Sequence, residues 1–278
     1  MELSQIRFLN CKSVILQPSC SLAALTMWAL SFTISVYITL IARCFVHSSI
    51  PGLLEFKNYQ REHKDTQSDI IFLLDTSGSL VFGGRNGFTD EKVFVNNLLS
   101  YIRVSALSTR VSIITFGTKS KVDINYVSPG IVLPSMHKCN FKRSFANVRF
   151  RNGLTNMKGA FNHAFEIIFG ILSGNKRPLK QVKTAVFLLT DGYWNEGGNP
   201  VGVVKSLKKE GIEIYSIGVT SGINDNVLKQ LATDSEHAFH YSSFNQFREM
   251  ASYLRGGEVI YNDNAFSECL KCIFMTKI

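Results

Sequence analysis

The chain has 278 residues, 45% of them hydrophobic and 18% charged, with a formal net charge of +9 and six cysteines. That apolar content supports a sizeable core and excludes an intrinsically disordered chain; the cysteines are too sparse for a small disulfide scaffold. No internal repeat or low-complexity tract interrupts it.

Residues 13–42 carry no charge, and 22–42 form the most apolar stretch. About 20 such residues are enough to cross a bilayer. Arg7 and Lys12 precede the stretch and Arg43 follows it, an asymmetry that leaves the rest of the chain on the non-cytoplasmic side. Residues 1–47 thus read either as a retained signal anchor or as a cleaved signal peptide, with Ala42-Arg-Cys44 or Val46-His-Ser48 as the cleavage site. Both readings expect an extracellular domain, secreted or held to the membrane through this segment alone. Residues 48–68, polar and mixed in charge after Pro51-Gly52, read as a linker.

A domain over 69–256 follows. The run Asp69-Ile-Ile-Phe-Leu-Leu-Asp75 is continuously apolar before its terminal carboxylate, as in a strand buried on both faces of a parallel sheet. After the Gly-rich stretch Gly83-Gly-Arg-Asn-Gly87, Thr89-Asp-Glu91 places acidic residues at the positive end of a helix dipole. That helix continues through Val93, Phe94, Val95, Leu98, Leu99 and Ile102. A strand over 110–117 precedes 119–126, whose polar–apolar alternation suits a half-exposed antiparallel edge strand. The basic stretch 137–151 reads as a short helix and loop. A helix over 157–172, a strand over 184–190, a helix over 200–209 closed by Gly211, and a strand over 212–219 come next. A short helix over 226–231, a strand over 238–241 and an amphipathic helix over 244–254 complete the pattern. Alternating strands and helices imply an α/β fold: a doubly wound, mostly parallel central sheet with one antiparallel edge strand and helices on both faces. The tail 257–278, with Cys269-Leu-Lys-Cys272, reads as the opening of a Cys-containing module.

The chemistry concentrates at strand ends. Asp75, Ser77 and Ser79 fall just beyond the carboxyl end of the first strand, where open α/β sheets bind ligands. A second apolar strand ends at Asp191-Gly192, and Thr155 sits in a loop ahead of a helix. Hard oxygen donors of this kind suit Mg²⁺ or Mn²⁺. The set Asp75-x-Ser77-x-Ser79, then Thr155, then Asp191-Gly192 resembles the metal-ion-dependent adhesion site of von Willebrand factor type A domains, and the resemblance covers 69–255. It implies that Ser77 and Ser79 ligate directly, Thr155 directly or through water, and Asp75 and Asp191 mostly through coordinated waters. The ion would then take an acidic residue of a protein ligand, with Tyr193 and Trp194 as candidate aromatic contacts. In the family members this segment most resembles, a second Cys precedes the last strand, where this chain reads Glu236-His-Ala-Phe-His240. Cys139 therefore stands as the single cysteine of the domain, either a thiol or bridged to Cys269 or Cys272.

Lys138, Lys142, Arg143, Arg149 and Arg151 lie in a stretch without an acidic residue. They read as a solvated face or as a patch for sulphated glycans or acidic protein. A type A domain that binds through this face, with a purely structural metal site, is the alternative reading. Nucleic acid is not expected, because no stacking platform or recognition motif accompanies the charge. Catalysis is not expected either. The chain has no Asp-x-Asp nucleophile pair, no Gly-x-Ser-x-Gly elbow and no phosphate-binding Gly-Lys-Ser/Thr loop.

Overall fold

The computed structural model describes residues 50–84, 86–126, 138–170, 177–179 and 181–255. The apolar amino-terminal stretch and the tail with Cys269 and Cys272 lie outside the described residues. Among the described residues, no helix is long and apolar enough to cross a membrane.

The strands are β1 (Ser68–Asp75), β2 (Arg110–Phe116), β3 (Ser120–Ile124), β4 (Lys183–Thr190), β5 (Glu213–Val219) and β6 (Ala238–Tyr241). They form one sheet in the order β3-β2-β1-β4-β5-β6. β1 pairs in parallel with β2 and β4, and β3 alone runs antiparallel, at the edge beside β2. The chain leaves β1 toward β2 and later returns to β4 on its other side. The carboxyl end of β1 is thus a topological switch point, with a crevice between two diverging connections. Asp75 ends β1, and Asp191 directly follows β4 beside it.

Every residue of β1 is buried. Its side chains alternate between two cores, as the pleat requires. Ile70, Phe72 and Leu74 face one core with α1 (Leu53–Glu62), α2 (Gly87–Leu98) and α7 (Phe244–Tyr253). Ile71 and Leu73 face the other, with α4 (Met157–Ile168), α5 (Val201–Lys209) and α6 (Asp225–Leu231). The basic helix α3 (Lys138–Ala146) adds Phe141 and Phe145 to the first core. Helix starts are capped by side chains: Asn156 accepts from the Gly159 N–H, Asn224 from Val227 and Ser243 from Gln246.

Helix α1 corrects the linker reading of 48–68. Leu53, Phe56 and Tyr59 recur at helical spacing, and all three are buried. Phe56 packs edge-on to Phe94 at 5.2 Å, and Tyr59 meets Phe187 at 5.1 Å. The Gln60 amide donates to the carbonyls of Asn97 and Leu98, tying α1 to the end of α2. The charges on the outer face of α1 had masked its apolar stripe.

Candidate metal centre

Three loops meet at the switch point. The first leaves β1, and its backbone is anchored where Thr76 donates from its N–H and its hydroxyl to the Phe116 carbonyl, at 2.7 and 2.9 Å. The second joins it where the Gly78 N–H donates to the Gly153 carbonyl at 2.9 Å. The third follows β4 and clamps the second. The Thr155 N–H donates to the Asn195 Oδ1 at 2.7 Å, and the Asn195 N–H returns to the Thr155 carbonyl at 3.2 Å.

Within this frame the hydroxyls and carboxylates form a chain. Ser79 Oγ donates to Asp191 Oδ1 at 2.6 Å and lies 2.9 Å from Ser77 Oγ. Since Ser79 has spent its proton on Asp191, Ser77 is the donor of that pair. Asp75 accepts from the Ser77 N–H at 2.7 Å on one oxygen and from the Thr190 hydroxyl at 2.7 Å on the other. Asp75, Ser77 and Asp191 are buried, whereas Ser79 is exposed and opens the cluster to solvent. Thr155 is buried in the adjoining loop, and the bonds that bring it to the rim are made by its backbone. Two residues of this frame escaped the sequence reading: Thr190, visible only as the residue before Asp191, and Asn195, which no spacing signals.

The electrostatics are those of crowded anions. Burial, and secondarily the charge of Asp191, pushes the Asp75 carboxyl up to about 7. Glu91, at the start of α2, was read as a solvated dipole partner but is 1% exposed. Burial and the charges of Asp75 and Asp191 raise its carboxyl well above the ordinary glutamate range. The donor set fits a hard divalent cation: two hydroxyl oxygens within hydrogen-bond distance of each other, one of them bonded to a carboxylate, beside a second carboxylate at a solvent-open rim. Among the described residues no group of three or more His, Cys, Asp and Glu side chains is arranged to hold a metal, so hydroxyls are indispensable to any such site.

The two aromatic candidates part company. Tyr193 is 42% exposed, while Trp194 is half-buried against the second core, with their rings 6.4 Å apart. The basic residues are dispersed as well. Lys138 donates to the carbonyls of Ser100 and Ile102 at 2.6 and 3.3 Å, and Arg151 pairs with Asp123 at 2.6 Å. Lys142 is half-buried on α3, and Arg143 and Arg149 are exposed.

The von Willebrand factor type A domain model matches residues 69–252. The mouse (Mus musculus) sushi, von Willebrand factor type A, EGF and pentraxin domain-containing protein 1 is 34% identical over 188 residues, 66% of this chain and 5% of that protein. Collagen alpha-5(VI) chain of Mus musculus is 29% identical over 216 residues, covering 76% of this chain and 7% of that one. Proximal thread matrix protein 1 from the mussel byssus, solved with a zinc-occupied MIDAS motif, superposes with a TM-score of 0.60 at 24% identity, covering 69% of this chain and 48% of that one. This chain thus spans a small fraction of these multidomain relatives. With the sheet order, the strand-end cluster and the matched span in agreement, the chain belongs to the von Willebrand factor type A domain family.

Proposed function

We propose that the chain is an extracellular protein-binding module whose type A domain holds Mg²⁺ or Mn²⁺ and engages an acidic residue of a protein ligand. The observation that carries this reading is the hydroxyl–carboxylate chain Ser77–Ser79–Asp191 at the rim of the switch point. Ser77 and Ser79 would supply direct hydroxyl ligands, with Thr155 beside them, and Asp75 and Asp191 would supply charge. A bound divalent ion with mainly neutral direct ligands offers a coordination position to a partner's carboxylate. The chain's own part is positional: Thr190 and the Ser77 N–H fix Asp75, and Asn195 fixes the Thr155 loop. Exposed Tyr193 supplies an apolar surface next to that position.

The extracellular placement is supported by the matrix relatives, among them collagen alpha-5(VI) chain and matrilin-3 of Mus musculus. Catalysis is no part of this reading. Ser77 bonds to Ser79 and not to an imidazole, and His163, His237 and His240 pair with Glu166, Asp234 and Asp225 respectively. A glycan-binding basic face is the weaker reading, since Lys138 and Arg151 are committed to partners within the domain.

Calorimetric titration of the chain with Mg²⁺ and Mn²⁺ tests the proposal, with Asp75→Ala and Ser77→Ala as controls. We expect saturable binding to the wild type that is lost in both variants. A folded wild type that takes up neither ion refutes it.

A further inference from the structure

Glu91 presents an unexplained charge. Its side chain is buried, its Oε2 has no hydrogen-bond partner, and no ion pair reaches it among the described residues. Neighbouring cations are engaged elsewhere. Asp90 takes the guanidinium of Arg248 through two contacts of 2.9 Å, and Lys92 Nζ donates to the carbonyls of Ala146 and Val148 at 3.0 and 3.1 Å. Glu91 instead accepts a hydrogen bond from the backbone of Asp75 and feels the charges of Asp75 and Asp191. A buried carboxylate with one oxygen unsatisfied, set against two other carboxylates, destabilises a fold unless positive charge compensates it. A neutral side chain of the same size, such as Gln or Leu, would remove that cost, and the helix start does not require an acid here because Asp90 already stands one residue earlier.

We propose that Glu91 is a third anionic component of the cation site, setting the affinity and charge preference of the bound ion from behind Asp75. The inference rests on the cation-site reading above. Glu91 reaches the cluster through the Asp75 backbone, so it acts on the ion by its field and not as a ligand. That distinction has a measurable signature. The energy between a fixed charge and an ion scales with the ion's charge, so losing Glu91 must weaken a trivalent ion more than a divalent one. A merely structural role would weaken both by the same factor.

The test compares Mn²⁺ and Tb³⁺ affinities of the full chain, measured by calorimetry, for wild type, Glu91→Gln and Glu91→Asp. Thermal melts in chelator establish that each variant is folded. For Glu91→Gln we expect about a tenfold loss for Mn²⁺ and about a thirtyfold loss for Tb³⁺, the ratio following ionic charge. Its melting temperature in chelator should not fall below that of the wild type. Glu91→Asp keeps the charge and should retain the wild-type Tb³⁺-over-Mn²⁺ preference, which keeps the inference testable if the Gln variant folds poorly. Unchanged affinities, or equal losses for the two ions, overturn the role of Glu91 while leaving the cation site standing. Absence of Mn²⁺ binding by the wild type removes both.

Discussion

Asp75 is where burial, charge and hydrogen bonding oppose one another most directly. Its carboxyl is pushed up to about 7 from an ordinary 3.8 by burial and by Asp191, against the stabilising bonds from Thr190 and Ser77. Between those values the folded, cation-free domain retains a proton that the unfolded chain has released. This contribution to stability is complete below the unfolded value and is lost as pH rises through the folded one, amounting to about 4 kcal/mol at most. Thermal melts in chelator should therefore show the wild type losing stability relative to Asp75→Asn between about pH 5 and pH 8, with a divalent cation restoring it. Parallel pH profiles for the two proteins would contradict this. The aromatic pair gives a second contrast. Tyr193→Ala should leave stability within about 0.5 kcal/mol, whereas Trp194→Ala, which unpacks a half-buried ring from the second core, should cost about 2 kcal/mol in denaturant unfolding. Asp75, Ser77 and Ser79 were legible because they are contiguous and close an apolar strand. Glu91 was not, because an acid in the first turn of a helix ordinarily faces water, and only the tertiary fold turns this one inward.

At the level of elements, the strands were legible because continuous burial leaves no polar interruptions, and β3 because its alternation marks an edge. Helix α1 was hidden for the opposite reason. Its apolar stripe is three residues wide, and the charges between them match those of a linker. The consequence is quantitative. Phe56 is fully buried against Phe94 and Phe239, so Phe56→Ala should cost about 3–5 kcal/mol, read from the shift in denaturant midpoint. A chain shortened to begin at Ser68 would uncover the same surface and should melt far below the intact one; equal melting would show α1 to be dispensable. On the opposite rim, Gly222 packs so tightly that a Cβ there would lie 2.1 Å from the Asp191 carbonyl oxygen. Gly222→Ala must displace the loop that carries Asp191, and we expect at least a tenfold loss of cation affinity, measurable by the same calorimetry. Affinity equal to that of the wild type would mean that this loop does not position the ligand.

Across the whole molecule, topology decides where function can sit. The reversal of strand order at β1 opens one crevice at the carboxyl ends of the strands, and the sequence delivers its acids and hydroxyls to that crevice from three separate loops. The two cores on either side of β1 hold the loop bases rigid, so the oxygen cluster is a property of the fold and not of a flexible surface. Net positive charge, by contrast, does not assemble into one unopposed face among the described residues, because part of it is consumed by internal carbonyls and by Asp123. The central claim is that this crevice is a divalent-cation site. Anomalous scattering from a crystal of the protein grown with Mn²⁺ tests it most directly. The account predicts a peak at roughly 2 Å from both Ser77 Oγ and Ser79 Oγ, with Asp75 and Asp191 around it. A well-ordered crevice with no peak, or a peak bound only elsewhere on the domain, would contradict it.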